Sequence, residues 1–471
     1  MIFAIINDKK RSLSLRKPCQ MQSKKSTRDQ LNFLSPTLKE QLNSKQELYL
    51  LSNQIKWTYF DDEFGSLYSD QGRPAHPIRV MVSLLILKAL YNLSDEELVE
   101  QQWEMNPYFQ YFGGFDVLQW GQPCAATDLV HFRKRIGAEG IEKILQHSID
   151  LHGKDAQDKH VSVDTTVQEK NITYPTDAKL HKKIADKCVS IAKQEGLKLR
   201  RSYVRTTKNL VRDTYNGTHP KRRKKANAAK RKLKTIAGRL VRELERKLPH
   251  QQRTETLTLF NKVLAQEKHS KNKIYSLHEP DVYCVAKGKA HKKYEYGCKG
   301  SVVLTQNTGI IVGAMTFEEN IYDGHTLNVV LKQTQTLTGN YPKTATVDRG
   351  YKGTQKVEST SIIRPSKPLK RDNAYQKQKK RKHCRRRAAI EPIIGHIKKD
   401  HRAAINYLKG KTGDKVNFIM SASGFNYRKL MKKLRATALW LYIKLTANRK
   451  WQIELKSLIQ FGLISRQKMS F

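Results

Sequence analysis

Acidic residues are scarce relative to basic ones. The chain sets 43 Asp and Glu against 89 Lys and Arg, a formal net charge of +46 over 471 residues. A chain this cationic repels itself unless a polyanion neutralises it, so nucleic acid is the leading partner and an anionic membrane surface the weaker alternative. Long hydrophobic runs are missing as well. The longest strongly apolar one, Met81 to Leu87, is far short of the roughly 20 residues that a bilayer span needs, so no membrane partner is expected. The apolar start, Met1 to Ile6, is followed rather than preceded by basic residues, the wrong order for a secretory signal. The six cysteines, Cys19, Cys124, Cys188, Cys284, Cys298 and Cys384, are scattered without a CxxC pair. That excludes a disulfide framework and a zinc site and points to a reducing, cytoplasmic compartment. Hydrophobic residues at 38% suffice for packed cores, which argues against wholesale disorder. The length suits about three domains at roughly 150 residues each.

What is present is patterned. Residues 1 to about 30 are polar, basic and weakly patterned, a loose tail. Val80, Leu84, Leu87, Ala89 and Leu90 fit a helix from Arg79 to Leu90. Ser94 followed by Glu97 is a capping box that starts another, stopped by Asn106-Pro107. Further helices are expected from Thr127 through Ile136, ended by Gly137, and from Gly140 to Leu151. These short helices read either as a helix-turn-helix-like module or as a plain bundle. His160 to Val167 alternates apolar and polar residues, a strand signal. From about Ala178 to Lys273 the pattern is helical and very basic, an insert too long for a plain loop. Strand signals return at Val282–Val285, Tyr294–Tyr296 and Ser301–Leu304, with a hairpin turn at Asn307-Thr-Gly309 and a return strand from Ile310. Thr326 to Leu337 reads as a helix, Thr344–Val347 and Ser361–Ile363 as strands, and Asp414 to Leu445 as a basic helix. This order describes a mixed α/β layer with a helical insertion after its first strand.

Three carboxylates sit where such a layer gathers its strand ends. Asp164 lies in the alternating strand, on the face opposite Val161, Val163 and Val167. Asp348 closes an apolar strand before a glycine-bearing turn, and Glu391 stands beside the helical stripe Ile390, Ile393, Ile394 and Ile397, with Pro392 suited to a first turn. Converging acids serve phosphoryl chemistry: two divalent cations roughly 3.5–4 Å apart activate the attacking oxygen and stabilise the leaving one, and magnesium takes hard oxygen ligands. An Asp at a strand end is also a common turn former, and a Glu in a first turn offsets the helix dipole. The residues alone leave both readings open.

Two basic runs follow a similar logic. Residues 221–247 hold 13 Lys and Arg against Glu243 and Glu245, and residues 371–387 hold nine against one Asp. Together they carry +19 of the total, more than a solvated face needs, and suggest tracks for a phosphate backbone. Tyr351 and His383 lie near them as candidates for base stacking, although packing is the commoner role. Arg387, Glu391 and Lys398, at offsets of four and seven, share roughly one helical face.

In sum these residues resemble the DDE transposases of bacterial insertion sequences, in the group named after insertion sequence five within the wider insertion-sequence-four-like superfamily. The likeness runs from about Ile55 to about Lys429. Gly72-Arg-Pro, Leu85–Lys88, Leu93–Glu96, Asn106–Phe112 and Phe132–Gly137 are similar to that group's helical DNA-binding domain. Val163–Val167 with Thr173–Lys179, His278–Asp281 with Lys287–Gly297, Val347–Tyr351, and Arg387 with Glu391 and Lys398 resemble its catalytic blocks. The resemblance implies a ribonuclease-H-like mixed sheet and an acid triad of Asp164, Asp348 and Glu391 binding two Mg2+, with Mn2+ able to substitute. It implies nicking at the element ends, then attack of the freed 3′-hydroxyl on target DNA. Arg387 and Lys398 would contact DNA near the site, joined by Lys221, Arg222, Arg223, Lys224 and Lys225 on the insert and by Arg133 and Arg135 in the N-terminal helices. Partners would be double-stranded DNA, both terminal inverted repeats and target, and a second copy in a homodimeric DNA complex; the location would be the bacterial cytoplasm, at the nucleoid. The wider signature carries a tyrosine three residues before the arginine, where this chain has Cys384. Only 42 residues separate Asp348 from Glu391, so the insertion expected of such a core falls after the first strand.

The expected division is a tail at 1–30, a helical DNA-binding domain at 31–155, a catalytic domain at 156–410 with an insert at about 178–273, and a basic helical tail at 411–471. A non-catalytic DNA-binding protein and a structure-specific nuclease on the same core are the alternative functions.

Overall fold

The computed structural model describes residues 36–69, 74–249, 253–267, 269–287 and 292–460. The expected tail, the apolar start, Cys19, Gly72-Arg73 and residues 288–291 of the Lys287–Gly297 block lie outside them. The chain forms two compact units, one of residues 1–143 with 427–471, the other of residues 144–426.

The first unit is helical, with α1 (Leu38–Gln41), α2 (Glu47–Gln54), α3 (Trp57–Gly65), α4 (Ile78–Tyr91), a π-helical stretch (Glu97–Gln102) continuing as α5 (Trp103–Met105), α6 (Pro107–Gly113) and the start of α7 (Ala126–Asp150). Helix α4 buries eleven of its fourteen residues, so it is apolar all round and central to its unit. It ends at Asn92 in the left-handed region (φ 59°). The Ser94–Glu97 capping box forms as expected: Glu97 N donates to Ser94 Oγ (3.0 Å) and Ser94 N to the Glu97 carboxylate (3.3 Å). Asn106-Pro107 ends one helix and starts the next, because Asn106 Oδ1 caps Tyr108 N (3.1 Å) and Pro107 takes the first turn. Gly137 (φ 64°, ψ −166°) breaks α7 where the sequence placed a stop. Aromatic contacts close the unit, Tyr49 stacked on Tyr111 at 4.6 Å and Trp57 edge-on to Phe112 at 5.0 Å.

One charge cluster sits inside this helical body. Asp95, 9% exposed, accepts from both Arg133 Nη atoms (2.9 and 2.6 Å) and from Lys88 Nζ (2.7 Å). Burial works against the charge on Asp95, but Arg133 and Lys88 outweigh it and hold its carboxyl below the usual range.

The second unit is mixed α/β. In chain order it contains β1 (His160–Lys170), α8 (Asp177–Gln194), α9 (Val204–Asp213), α10 (Pro220–Lys247), α11 (Thr254–Ala265), β2 (Tyr283–Ala286), β3 (Tyr294–Thr305), β4 (Ile311–Phe317) and α12 (Asp323–Thr338). There follow β5 (Thr344–Thr346), β6 (Lys356–Val357), β7 (Thr360–Ile363), α13 (Ala374–Ala388), α14 (Ile390–Asp400), β8 (Ile405–Asn406) and the start of α15 (Gly410–Gln460). The sheet order is β2-β3-β1-β5-β7-β6, with β4 also on β3 and β8 also on β1. Strands β1, β5 and β7 are parallel; β3 is antiparallel to β1 and to β4. The helices of the insert, α8 to α11, bury their own core, in which Ile184, Cys188, Leu233, Ile236, Leu240 and Phe260 are fully or almost fully enclosed.

Two expectations need correction. Tyr294–Tyr296 and Ser301–Leu304 belong to one strand. Gly297 and Gly300 mark close approaches instead of a turn: a Cβ on Gly297 would strike the Gln168 carbonyl oxygen at 1.9 Å, and one on Gly300 the Phe418 ring at 2.4 Å. The basic run 371–387, read only as a charge tract, is mostly the helix α13, capped by Asn373 and Gln376.

Loss of the Asp95 carboxylate would leave the buried Arg133 without the carboxylate that neutralises it. Asp95→Ala is expected to cost about 3–5 kcal/mol in urea unfolding at neutral pH. The deficit should narrow as pH falls through the carboxylate range, where the parent loses this charge too. A cost below about 1 kcal/mol, the range of exposed pairs, would contradict the bridge.

Candidate active site

The edge of β1 is the key to the site. On one side β3 pairs with it from Val161 to Glu169. On the other, β5 pairs only with His160–Ser162 and β8 only with Glu169–Lys170. Asp164 stands in the gap between them, its side chain 16% exposed and its Oδ1 accepting from Thr165 N (2.8 Å). Asp348 follows β5, past Val347, whose N–H donates to Ile363 O (3.0 Å). Its own Oδ1 accepts from Arg349 N (2.7 Å) and its backbone oxygen from Tyr351 N (3.2 Å), closing the turn. Glu391 is the second residue of α14. Helix α13 is tied to β1 through Ser162 Oγ, which donates to Arg386 O (3.3 Å).

These elements bring all three carboxylates onto one guanidinium. Arg387 Nη2 lies 3.7 Å from Asp164 Oδ2 and 3.5 Å from Asp348 Oδ2, and its Nη1 pairs with Glu391 Oε1. Its Nε is buried without a hydrogen-bond partner. Burial pushes the Asp164 carboxyl up to about 6; Arg387 and the Thr165 N–H offset part of this, and the charges of Asp348 and Glu391 add to it. Among the described residues no group of three His, Cys, Asp or Glu is arranged to hold a metal ion, and the Arg387 guanidinium contacts all three acids. The donor set itself, three carboxylates, is the hard-oxygen kind that magnesium or manganese takes. Beside Asp348 opens a cleft of about 540 Å3 whose walls include Arg349, Lys367, Arg381, Cys384 and Arg385. The Cys384 thiol rests on Ser366 O at 3.5 Å.

The other expected site residues lie elsewhere. Lys398 is two turns beyond Glu391, in the field of Glu295, Lys287, Glu169 and Lys292, and burial lowers its pKa. Lys221 to Lys225 are exposed at the start of α10, with Lys225 paired to Asp213 (2.8 Å). Arg133 is 7% exposed and committed to Asp95, so it is not presented to a ligand. The Arg135 guanidinium lies 4.5 Å over the Tyr68 ring. Tyr351 is 1% exposed, so it is packing and not a stacking platform. Its hydroxyl is buried with no partner in hydrogen-bond geometry.

Sequence reasoning missed Tyr322 and Asp323. Tyr322 Oη donates to Gly350 O and accepts from Lys352 N (2.5 Å), holding the turn after Asp348. Asp323 Oδ1 accepts from Thr165 Oγ1 (3.0 Å) and Lys299 Nζ (2.9 Å), fixing β1 next to Asp164. The available signal was a lysine inside the strand that runs on into Val302-Val303-Leu304 and an aspartate opening a helix, 24 residues apart.

Comparison with known proteins is consistent with this geometry. Residues 36–135 match the family described as "Transposase domain (DUF772)", and residues 277–467 match "Transposase DDE domain". The second match takes in Asp348, Glu391 and Arg387 and begins after Asp164. The chain is 42% identical over 175 residues to "Uncharacterized protein ORF8 in nfe locus" of Rhizobium meliloti, covering 36% of this chain and 84% of that protein. No solved structure matches.

The raised Asp164 pKa has a thermodynamic consequence. A carboxyl whose folded pKa lies above its unfolded value destabilises the fold as pH rises from about 4 to above about 6. In metal-free protein, Asp164→Asn should therefore stabilise the chain at pH 8 by on the order of 1–3 kcal/mol, with the gain vanishing near pH 4. Thermal unfolding at both pH values checks this, and equal or lower stability of the variant at pH 8 contradicts it.

Proposed function

The chain belongs to the DDE transposases of insertion sequences, and from that premise we propose that it cuts DNA at the ends of its element and joins the freed 3′-hydroxyl to target DNA. In this reading Asp164, Asp348 and Glu391 hold two divalent ions, Mg2+ or Mn2+. The observation that carries it is the meeting of three acids, drawn from β1, the end of β5 and the start of α14, on the single cation of Arg387. When bound, such a pair of ions supplies activation of the attacking oxygen and stabilisation of the leaving one. The chain's own residues do the rest. The acids orient the site, with Tyr322 and Asp323 fixing the two aspartate-bearing segments. Arg387 holds the acids against their mutual repulsion in the metal-free chain. Once freed, its planar fork suits a backbone phosphate, and the adjoining cleft offers four more cations to the same strand.

The order β4-β3-β1-β5-β7 supports a ribonuclease-H-like assignment for residues 156–410, with α8 to α11 as the insert. We assign DNA-backbone contacts to Lys398 and to Lys221, Arg222, Arg223, Lys224 and Lys225. Joining two ends calls for a dimer in the active complex. No helix among the described residues is long and apolar enough to cross a membrane.

The decisive variant is Asp348→Asn. DNA binding should survive while Mg2+-dependent cleavage disappears; cleavage that persists refutes the triad. Cleavage by the parent without joined products would reduce the function to that of a nuclease. A second expectation concerns salt. With 6–10 phosphate contacts, affinity should fall by orders of magnitude between about 50 and 200 mM, and removing the charges at Lys221 to Lys225 should flatten that slope. A slope unchanged by their removal would take α10 out of the DNA track.

A further inference from the structure

The charge of this protein is unevenly distributed. Residues 36–143 hold 10 Lys and Arg against 15 Asp and Glu, so this stretch is net acidic in a chain of +46, although residues 427–460 of the same unit add nine Lys and Arg against one Glu. A phosphate backbone is repelled by such a stretch. Two of its expected DNA contacts are also engaged: Arg133 is buried on Asp95 and Arg135 lies over Tyr68.

Its excess acid is concentrated. Glu96, Glu100 and Glu104, at steps of four along the stretch that leads into α5, are all exposed, and none has an ion-pair partner among the described residues. The basic part of α15 in the same unit meets this body elsewhere, through Arg428 on Leu90 O and Arg435 on Glu47. A second, independent feature adjoins the acids. The Gln110 side-chain amide donates to both Trp103 O (3.3 Å) and Gln119 O (3.0 Å), so the chain after Trp103 and the chain after Gln119 are held side by side. Their next residues include the most exposed large apolar side chains among the unit's described residues, Met105 at 80% and Trp120 at 81%. Exposed Trp and Met bordered by charge are the composition of a protein interface.

We propose that this face is a docking surface for a second copy of this chain, and that it takes the outer face of helix α10. Charge complementarity identifies the occupant. Lys224 and Arg231 are exposed on the side of α10 opposite its buried stripe of Ala226, Ala229, Leu233 and Leu240, and Lys221 is exposed at the helix start. Its aliphatic stems lie over apolar neighbours while its charges reach acids. A two-fold arrangement makes the contact twice, each copy giving one acidic face and one basic helix. DNA competes for the same cations, so the contact belongs to the DNA-free protein.

A charge exchange in the full-length chain tests this. One variant carries Glu96→Lys, Glu100→Lys and Glu104→Lys; the other carries Lys221→Glu, Lys224→Glu and Arg231→Glu. In sedimentation velocity without DNA, the parent should self-associate at low salt and dissociate as salt rises. Each variant alone should associate at least about tenfold more weakly, and an equimolar mixture of the two should regain the association, because both contacts are then attractive again. Trp120→Ala should weaken the parent's association with no loss of thermal stability. A monomeric parent at micromolar concentration overturns the proposal, as does a mixture no stronger than either variant. Normal association combined with lost DNA retention in the Glu96/Glu100/Glu104 variant overturns it in favour of a nucleic-acid surface.

Discussion

Three carboxylates share one guanidinium, and the architecture of the catalytic unit is arranged around that fact. Like charges do not gather unaided. Two at about 4 Å repel by roughly 4 kcal/mol at an effective dielectric of 20, and at Asp164 the neighbouring acids add to the larger upward push of burial, which Arg387 offsets only in part. Each element around the site answers to this constraint. Strand β1 is left unpaired on the edge away from β3 where Asp164 stands, β5 stops two residues short of Asp348, and the junction of α13 and α14 delivers Arg387 and Glu391 one turn apart. The cation that closes the metal-free site is the one that, in the transposase reading, gives way to metal and turns to phosphate.

The same economy of charge governs the rest of the molecule. Helix α13 buries no residue at all, and α10 buries only one stripe, so most of their cations face outward, while Lys225, Lys247, Lys380 and Arg387 are paired with acids. Residues 36–143 have the opposite sign, and their Lys88 and buried Arg133 are neutralised internally by Asp95.

Much of this was legible in the sequence. Alternation fixed β1 and hence the face of Asp164; the Ser94–Glu97 box, Asn106-Pro107 and Gly137 each carried their own local physics into the structure. The acids were legible as positions but not as a cluster, because convergence depends on contacts more than a hundred residues apart. Other features left no periodic trace. Helix α13 has no apolar stripe to betray it. Gly297 and Gly300 look like turn residues, although what they provide is room for Gln168 and Phe418. The partner of Arg133 lies 38 residues away at Asp95, so composition alone could not tell a buried bridge from a DNA contact. The clamp by Tyr322 and Asp323 is a matter of side-chain reach across the fold.

The account rests on the site exchanging one cation for others. Anomalous diffraction from crystals soaked in Mn2+ examines it most directly. Two manganese peaks bounded by Asp164, Asp348 and Glu391, with the Arg387 side chain withdrawn from between them, are the expected result. A guanidinium still seated among the three carboxylates at saturating Mn2+, with no anomalous density beside them, would contradict the account.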